Sequence, residues 1–261
     1  MGKTFLRILI AASVISLACT TKVSEWVLLN ALPNQYTLVY FHKDPLTENT
    51  TSRNRLVQTM GQANIEFRNV QRKDIDQPYW GLYYGSRLFA RYNSTNDLRE
   101  LASSPLREKI AGEIMTGKLC VLLYLKSGNT AKDGNGLQVI NSALASSPYK
   151  DIITVVELDR NATGEKHFVS MLLNVEDDLR SIHEPMIFGI FGRFKALEPL
   201  LGKGITTENI RLMIDFLTAD CSCLIKDNLP GVDILFNGKW ENPATAMVNK
   251  ILDENPSLLH H

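Results

Sequence analysis

Residues 36–41 read Tyr36-Thr37-Leu38-Val39-Tyr40-Phe41, an unbroken run of β-branched and aromatic side chains that predicts a buried strand. A polar loop over 42–51 follows. Leu56, Val57 and Met60 then recur on one face of a helix over 52–62, and 65–70 predicts a second strand. Pro78 precedes Tyr79-Trp80-Gly81-Leu82-Tyr83-Tyr84, and Gly85-Ser86 is a hairpin turn leading into Arg87-Leu88-Phe89-Ala90-Arg91-Tyr92. Ser94 or Thr95 is placed to cap a helix carrying Leu98 and Leu101. Ser104-Pro105 opens another over 106–115, because proline suits the first helical turn.

The same order then recurs. Residues 119–125 predict a strand, 127–136 a loop rich in Gly and Asn, 137–145 a helix and 152–158 a strand. A helix near 165–173 leads to Pro185, a strand over 186–191, a turn, a strand near 196–200 and a helix over 208–217. The order strand, helix, strand, proline, hairpin, helix thus appears twice, although the residues themselves barely repeat. The repeat predicts an α/β chain of two domains, 20–117 and 118–261, divided near Gly117. The second is extended by a turn and strand over 229–236, then Trp240 and a short helix over 244–252.

The first nineteen residues change the picture. Lys3 and Arg7 precede an apolar run over 8–17 that has the length of a secretory signal and is too short to span a bilayer. Ser16-Leu17-Ala18-Cys19 follows and looks like a bacterial lipobox, in which Cys19 is lipidated and begins the mature chain. The plainer alternative is cleavage near Ala18 with Cys19 incidental. Thr20, rather than Asp, after the cysteine points to the outer membrane. The expectation is therefore a periplasmic-side lipoprotein, held to the membrane through its N-terminal lipid anchor only. Of the 261 residues, 28 are basic and 28 acidic, which removes the excess positive charge that a nucleic-acid binder needs.

A proline before the second hairpin resembles thioredoxin-like domains, where that proline is cis and faces the active-site loop. More closely, several stretches resemble a family of exported bacterial proteins: Ser104-Pro105-Leu106-Arg107, Phe191-Gly192-Arg193, Gly202-Lys203-Gly204-Ile205, Glu208-Asn209-Ile210, Phe216-Leu217-Thr218, Cys221-Ser222-Cys223 and Pro230-Gly231-Val232-Asp233. The resemblance implies two thioredoxin-like domains in tandem, with three layers around mixed sheets. It implies no activity.

The candidate chemistry starts from what is missing. A thioredoxin-type oxidoreductase needs Cys-x-x-Cys between the first strand and its helix, where the helix N-terminus lowers the pKa of the attacking thiol. Neither 42–51 nor 127–136 contains a cysteine. Of the four cysteines, Cys19 belongs to the export signal and Cys120 to a buried strand, leaving Cys221 and Cys223 as neighbours. Two residues apart, they share a face only in extended chain, where a disulfide would be strained and easily reduced. A structural or packing role, a redox site, and a soft-metal site for copper or zinc all remain open. The last would need further ligands such as His167 or His183.

His42 follows the first strand and is expected as a solvated loop residue. His183-Glu184 before Pro185 is a candidate acid–base pair or a shaper of that turn. Glu176-Asp177-Asp178 lacks the ligand spacing of a calcium loop and reads as a solvated face. Tyr79, Trp80, Tyr83 and Tyr84 read as hairpin packing, and 128–136 has no phosphate-loop ending. The expectation is a non-catalytic binding or scaffold module of the cell envelope, with no cofactor and with a protein partner. Its rival is a thiol–disulfide oxidoreductase using Cys221 and Cys223.

Overall fold

The computed structural model describes residues 21–46, 59–238 and 240, with 223 and 224 followed through their backbone only. Two sheets carry the chain. In the first, β1 (Tyr36–His42) runs parallel to β2 (Ile65–Gln71) and antiparallel to β3 (Tyr79–Tyr84), and β4 (Arg87–Tyr92) closes the order β2-β1-β3-β4. The second has β5 (Cys120–Lys126) between β6 (Ile153–Asp159), parallel, and β7 (Met186–Phe191), antiparallel. β8 (Lys195–Ala196) and β9 (Leu200–Leu201) pair with opposite ends of β7, and β10 (Val232–Asp233) adds beyond β8.

The two sheets repeat one plan in register. Tyr36 stands opposite both Ile65 and Tyr84, and Cys120 opposite both Ile153 and Phe191.

The α-helices bounded among the described residues, beside several short 3-10 turns, are α1 (Val23–Asn30), α2 (Pro105–Met115), α3 (Thr130–Ala145), α4 (Lys166–Leu172), α5 (Thr207–Thr218) and α6 (Cys223–Asp227). β5 is apolar and buried from Cys120 to Leu125 because both of its faces are covered. Cys120, Leu122 and Tyr124 join Ile187 and Phe191 in a core with α1, α3 and α5, to which α5 contributes Ile210, Met213, Ile214 and Leu217 at helical spacing. Val121, Leu123 and Leu125 face the other way, toward Ile110 and Ile114 of α2 and Phe168 of α4. That core continues into Tyr36, Leu38 and Leu82 of the first sheet.

Both α1 and α2 precede the expected division at Gly117, yet both pack on the second sheet. α1 is not among the elements predicted from sequence. It is held by long-range bonds, from Val23 N–H to the Ala219 carbonyl (2.9 Å) and from the Ser24 hydroxyl to the Leu217 carbonyl (2.7 Å). Gly192 lets it close in, since a Cβ there would lie 2.3 Å from Val27 Cγ1.

Residues 233–237 stitch the two sheets together. Tyr36 Oη donates to the Asp233 carbonyl (3.0 Å), and the Asp233 carboxylate takes the Asn34 amide (3.0 Å) and the buried Lys195 ammonium (2.9 Å). The fully buried guanidinium of Arg107 donates to Ser104 Oγ (2.9 Å), to the Leu101 and Leu235 carbonyls (2.8 Å each) and to the Glu100 carbonyl. Four carbonyl and hydroxyl acceptors offset the cost of burying its charge.

Several elements differ from the sequence expectation. The loop expected over 127–136 is helical from Thr130, because Asn129 Oδ1 caps the Lys132 amide (3.1 Å) and Gly136 is required against Tyr124. The strand expected near 196–200 is split into β8 and β9 around Pro199, which has no N–H to give a ladder. Of 229–236, only Val232–Asp233 is strand. The helices expected over 52–62 and 244–252 fall largely or wholly outside the described residues.

Candidate functional site

In the repeated plan, the place for chemistry is the loop that leaves the first strand, facing the segment before the third. In the second unit this is Ser127–Asn129 opposite Glu184-Pro185, and the Lys132–Glu184 ion pair holds the two together. Asp133, on the first turn of α3, points back into the loop. Its buried carboxylate accepts from Ser127 N–H (2.8 Å), Ser127 Oγ–H (2.8 Å) and Gly128 N–H (3.0 Å). The Ser127 and Gly128 amides of the loop are therefore taken by a carboxylate of the chain itself, and the Lys132 amide at the helix N-terminus by Asn129 Oδ1.

Asp133 and Asn129 are not among the candidates that sequence reasoning finds. The available signal is an Asn cap followed four residues on by an acid, and Gly134 and Gly136 mask it as a loop.

Pro185 is buried before β7, and its carbonyl accepts the Gly202 amide (2.9 Å). It is trans, against the cis form implied by the resemblance, as is every peptide among the described residues. His183 is exposed, while Glu184 is engaged by Lys132. Glu184 thus shapes the turn through α3.

In the first unit, His42 is the last residue of β1 rather than a solvated loop residue. It is buried, its ring stacks on Tyr40 at 5.8 Å, and its Nδ1 lies 2.8 Å from the Asp44 carbonyl. Strand pairing with Gln71 extends β1 one residue further than its apolar run and draws the imidazole in.

The Cys-Ser-Cys element lies just after α5. α5 ends at Thr218, Asp220 bridges to Lys22, and the Cys221 amide donates to the Thr21 carbonyl (2.9 Å). Cys221 is buried in the core beneath α1, Ser222 is extended, and Cys223 opens α6. Ser222 Oγ caps that short helix by accepting the Ile225 amide (3.3 Å).

His167 stands on the opposite face of the second sheet, edge-on to Tyr92 at 5.5 Å, and so cannot join Cys221 as a metal ligand. Among the described residues no group of three His, Cys, Asp or Glu side chains is placed to hold a metal. Cys120 is fully buried in β5, and burial pushes its thiol up to about 12, which leaves it without thiolate at neutral pH. Cys19 lies outside the described residues. No described helix is long and apolar enough to cross a membrane.

The strand order of both sheets defines the class: an α/β chain of two thioredoxin-like domains in tandem. No protein-family description and no curated protein matches the sequence. Among solved structures, the chain is similar to the first two thioredoxin domains of Naumovozyma dairenensis Eps1p. The identity is 14%, covering 77% of this chain and 97% of that one, with a TM-score of 0.25.

Proposed function

We propose that this chain is a non-catalytic thioredoxin-like protein of the cell envelope, exported, anchored by a lipid on Cys19, and acting as a binding or scaffold module for another protein. The observation that carries the reading is the occupied loop of the second domain. It has no cysteine, and its backbone amides already bind Asp133. Export and kinship with the exported bacterial family rest on the N-terminal pattern and the quoted motifs.

A redox role for Cys221 and Cys223 is the second reading. It rests on the Cys-Ser-Cys spacing in the sequence. An insulin-reduction assay separates the two, with Cys221→Ser as control. The expected result is no turnover by either protein; turnover lost in Cys221→Ser would sink the binding-only reading. Mass spectrometry of the mature N-terminus is expected to find diacylated Cys19, and an unmodified peptide starting elsewhere would remove the anchor.

A further inference from the structure

The outer edge of the second sheet is only half covered by the chain's own strand. β10 pairs with β8 at Val232 and Asp233, and the backbone then turns away at Gly231. The φ there is 97°, and a Cβ would come within 2.5 Å of the Ala196 carbonyl oxygen, so the turn requires glycine. Among the described strands, none follows that line beside β9.

In its place is a groove of about 460 Å³. It is lined by Leu212 and Phe216 of α5, by Leu200 and Val232, and by Glu176 and Glu198. Leu212 is 61% exposed and lies outside the α5 stripe that faces the sheet, so packing within the fold does not explain it. Both carboxylates are exposed, and neither has an ion-pair partner among the described residues.

We infer that this groove docks an extended segment of a partner protein, apolar in the side chains that enter it and carrying lysine or arginine at its flanks. The inference rests on the binding-module reading and names its surface and partner chemistry. Such a segment would extend the line of β10 beside Leu200 and Leu201, the mode in which a peptide adds to a sheet edge. Pro199 at the break removes one ladder donor, so burial of apolar side chains carries most of the affinity, and the two carboxylates select the charge of the flanks.

The probes are two labelled peptides, Lys-Leu-Val-Leu-Lys and Glu-Leu-Val-Leu-Glu, titrated against the full chain by fluorescence anisotropy. The lysine peptide is expected to bind, and the glutamate peptide about tenfold more weakly or worse. Leu212→Asp, at an exposed position, should abolish binding while circular dichroism stays unchanged. Glu176→Lys with Glu198→Lys should reverse the preference. Equal binding of both peptides, no binding of the lysine peptide at millimolar protein, or binding indifferent to Leu212→Asp would overturn the inference. None of these results changes the insulin-reduction outcome, so loss of this docking site and loss of the non-catalytic reading remain separate.

Discussion

The carboxylate of Asp133 accepts both the amide hydrogen and the hydroxyl hydrogen of Ser127, each at 2.8 Å. One side chain on the first turn of α3 therefore closes the loop after β5, while Asn129 caps the helix itself. Asp133→Ala would leave the Ser127 and Gly128 amides without this acceptor in a partly buried loop. The expected loss is about 2–3 kcal/mol in urea unfolding, with Asp133→Asn losing less because its amide oxygen still accepts. Unchanged stability in the alanine variant would show that water replaces the carboxylate.

Two glycines of α3 should respond to alanine with opposite signs. Gly134 is exposed, with nothing within 4 Å of where an alanine methyl would stand, so Gly134→Ala should stabilise by about 1 kcal/mol through helix propensity alone. At Gly136 a Cβ would lie 2.3 Å from Tyr124 Oη, a hydroxyl held at 2.9 Å by the Asp133 carbonyl on a fully buried ring. Gly136→Ala should destabilise by about 2 kcal/mol through overpacking. Tyr124→Phe in the same chain should recover part of that loss. Thermal unfolding of the four proteins distinguishes this from a uniform glycine effect.

His167 predicts a dependence on pH. Burial first, then Lys166 and Arg107, lower its pKa to about 4, and the Asp97 and Arg99 backbone opposes them only in part. The folded state therefore keeps the imidazole neutral while the unfolded chain takes up a proton near pH 6.5. Its contribution is intact above pH 6.5 and is lost as pH falls toward 4, by up to about 3 kcal/mol. Urea titrations between pH 7 and 4.5 should give a flatter profile for His167→Gln than for the wild type. Parallel profiles would assign the acid sensitivity to carboxylates instead.

Where the physics is local, sequence and structure agree closely. β3, β4 and β7 fall on their expected residues, because proline, the Gly85 turn and continuous apolar runs mark their ends. The start of α3 is hidden because Gly134 and Gly136 lower helix propensity, and the need for Gly136 comes from Tyr124 on another element. β10 is shorter than its sequence suggests because the apolar character of 232–236 reflects burial between two sheets rather than strand pairing: Ile234, Leu235 and Phe236 are buried in the shared core.

By itself the sequence determined the α/β class, the doubled order of elements, the lack of cysteine in both thiol loops and the burial of Cys120, since each rests on residue type and short-range pattern. Only the tertiary structure decided that α1 and α2 both belong to the second sheet, that Asp133 fills the loop of the second domain, and that Cys221 is buried beside Thr21 while His167 lies across the sheet. Those facts depend on partners from opposite ends of the described chain, such as Thr21 and Cys221, and on which face of a sheet each residue occupies. No local pattern encodes either, because a side chain's partner is set by how whole elements pack.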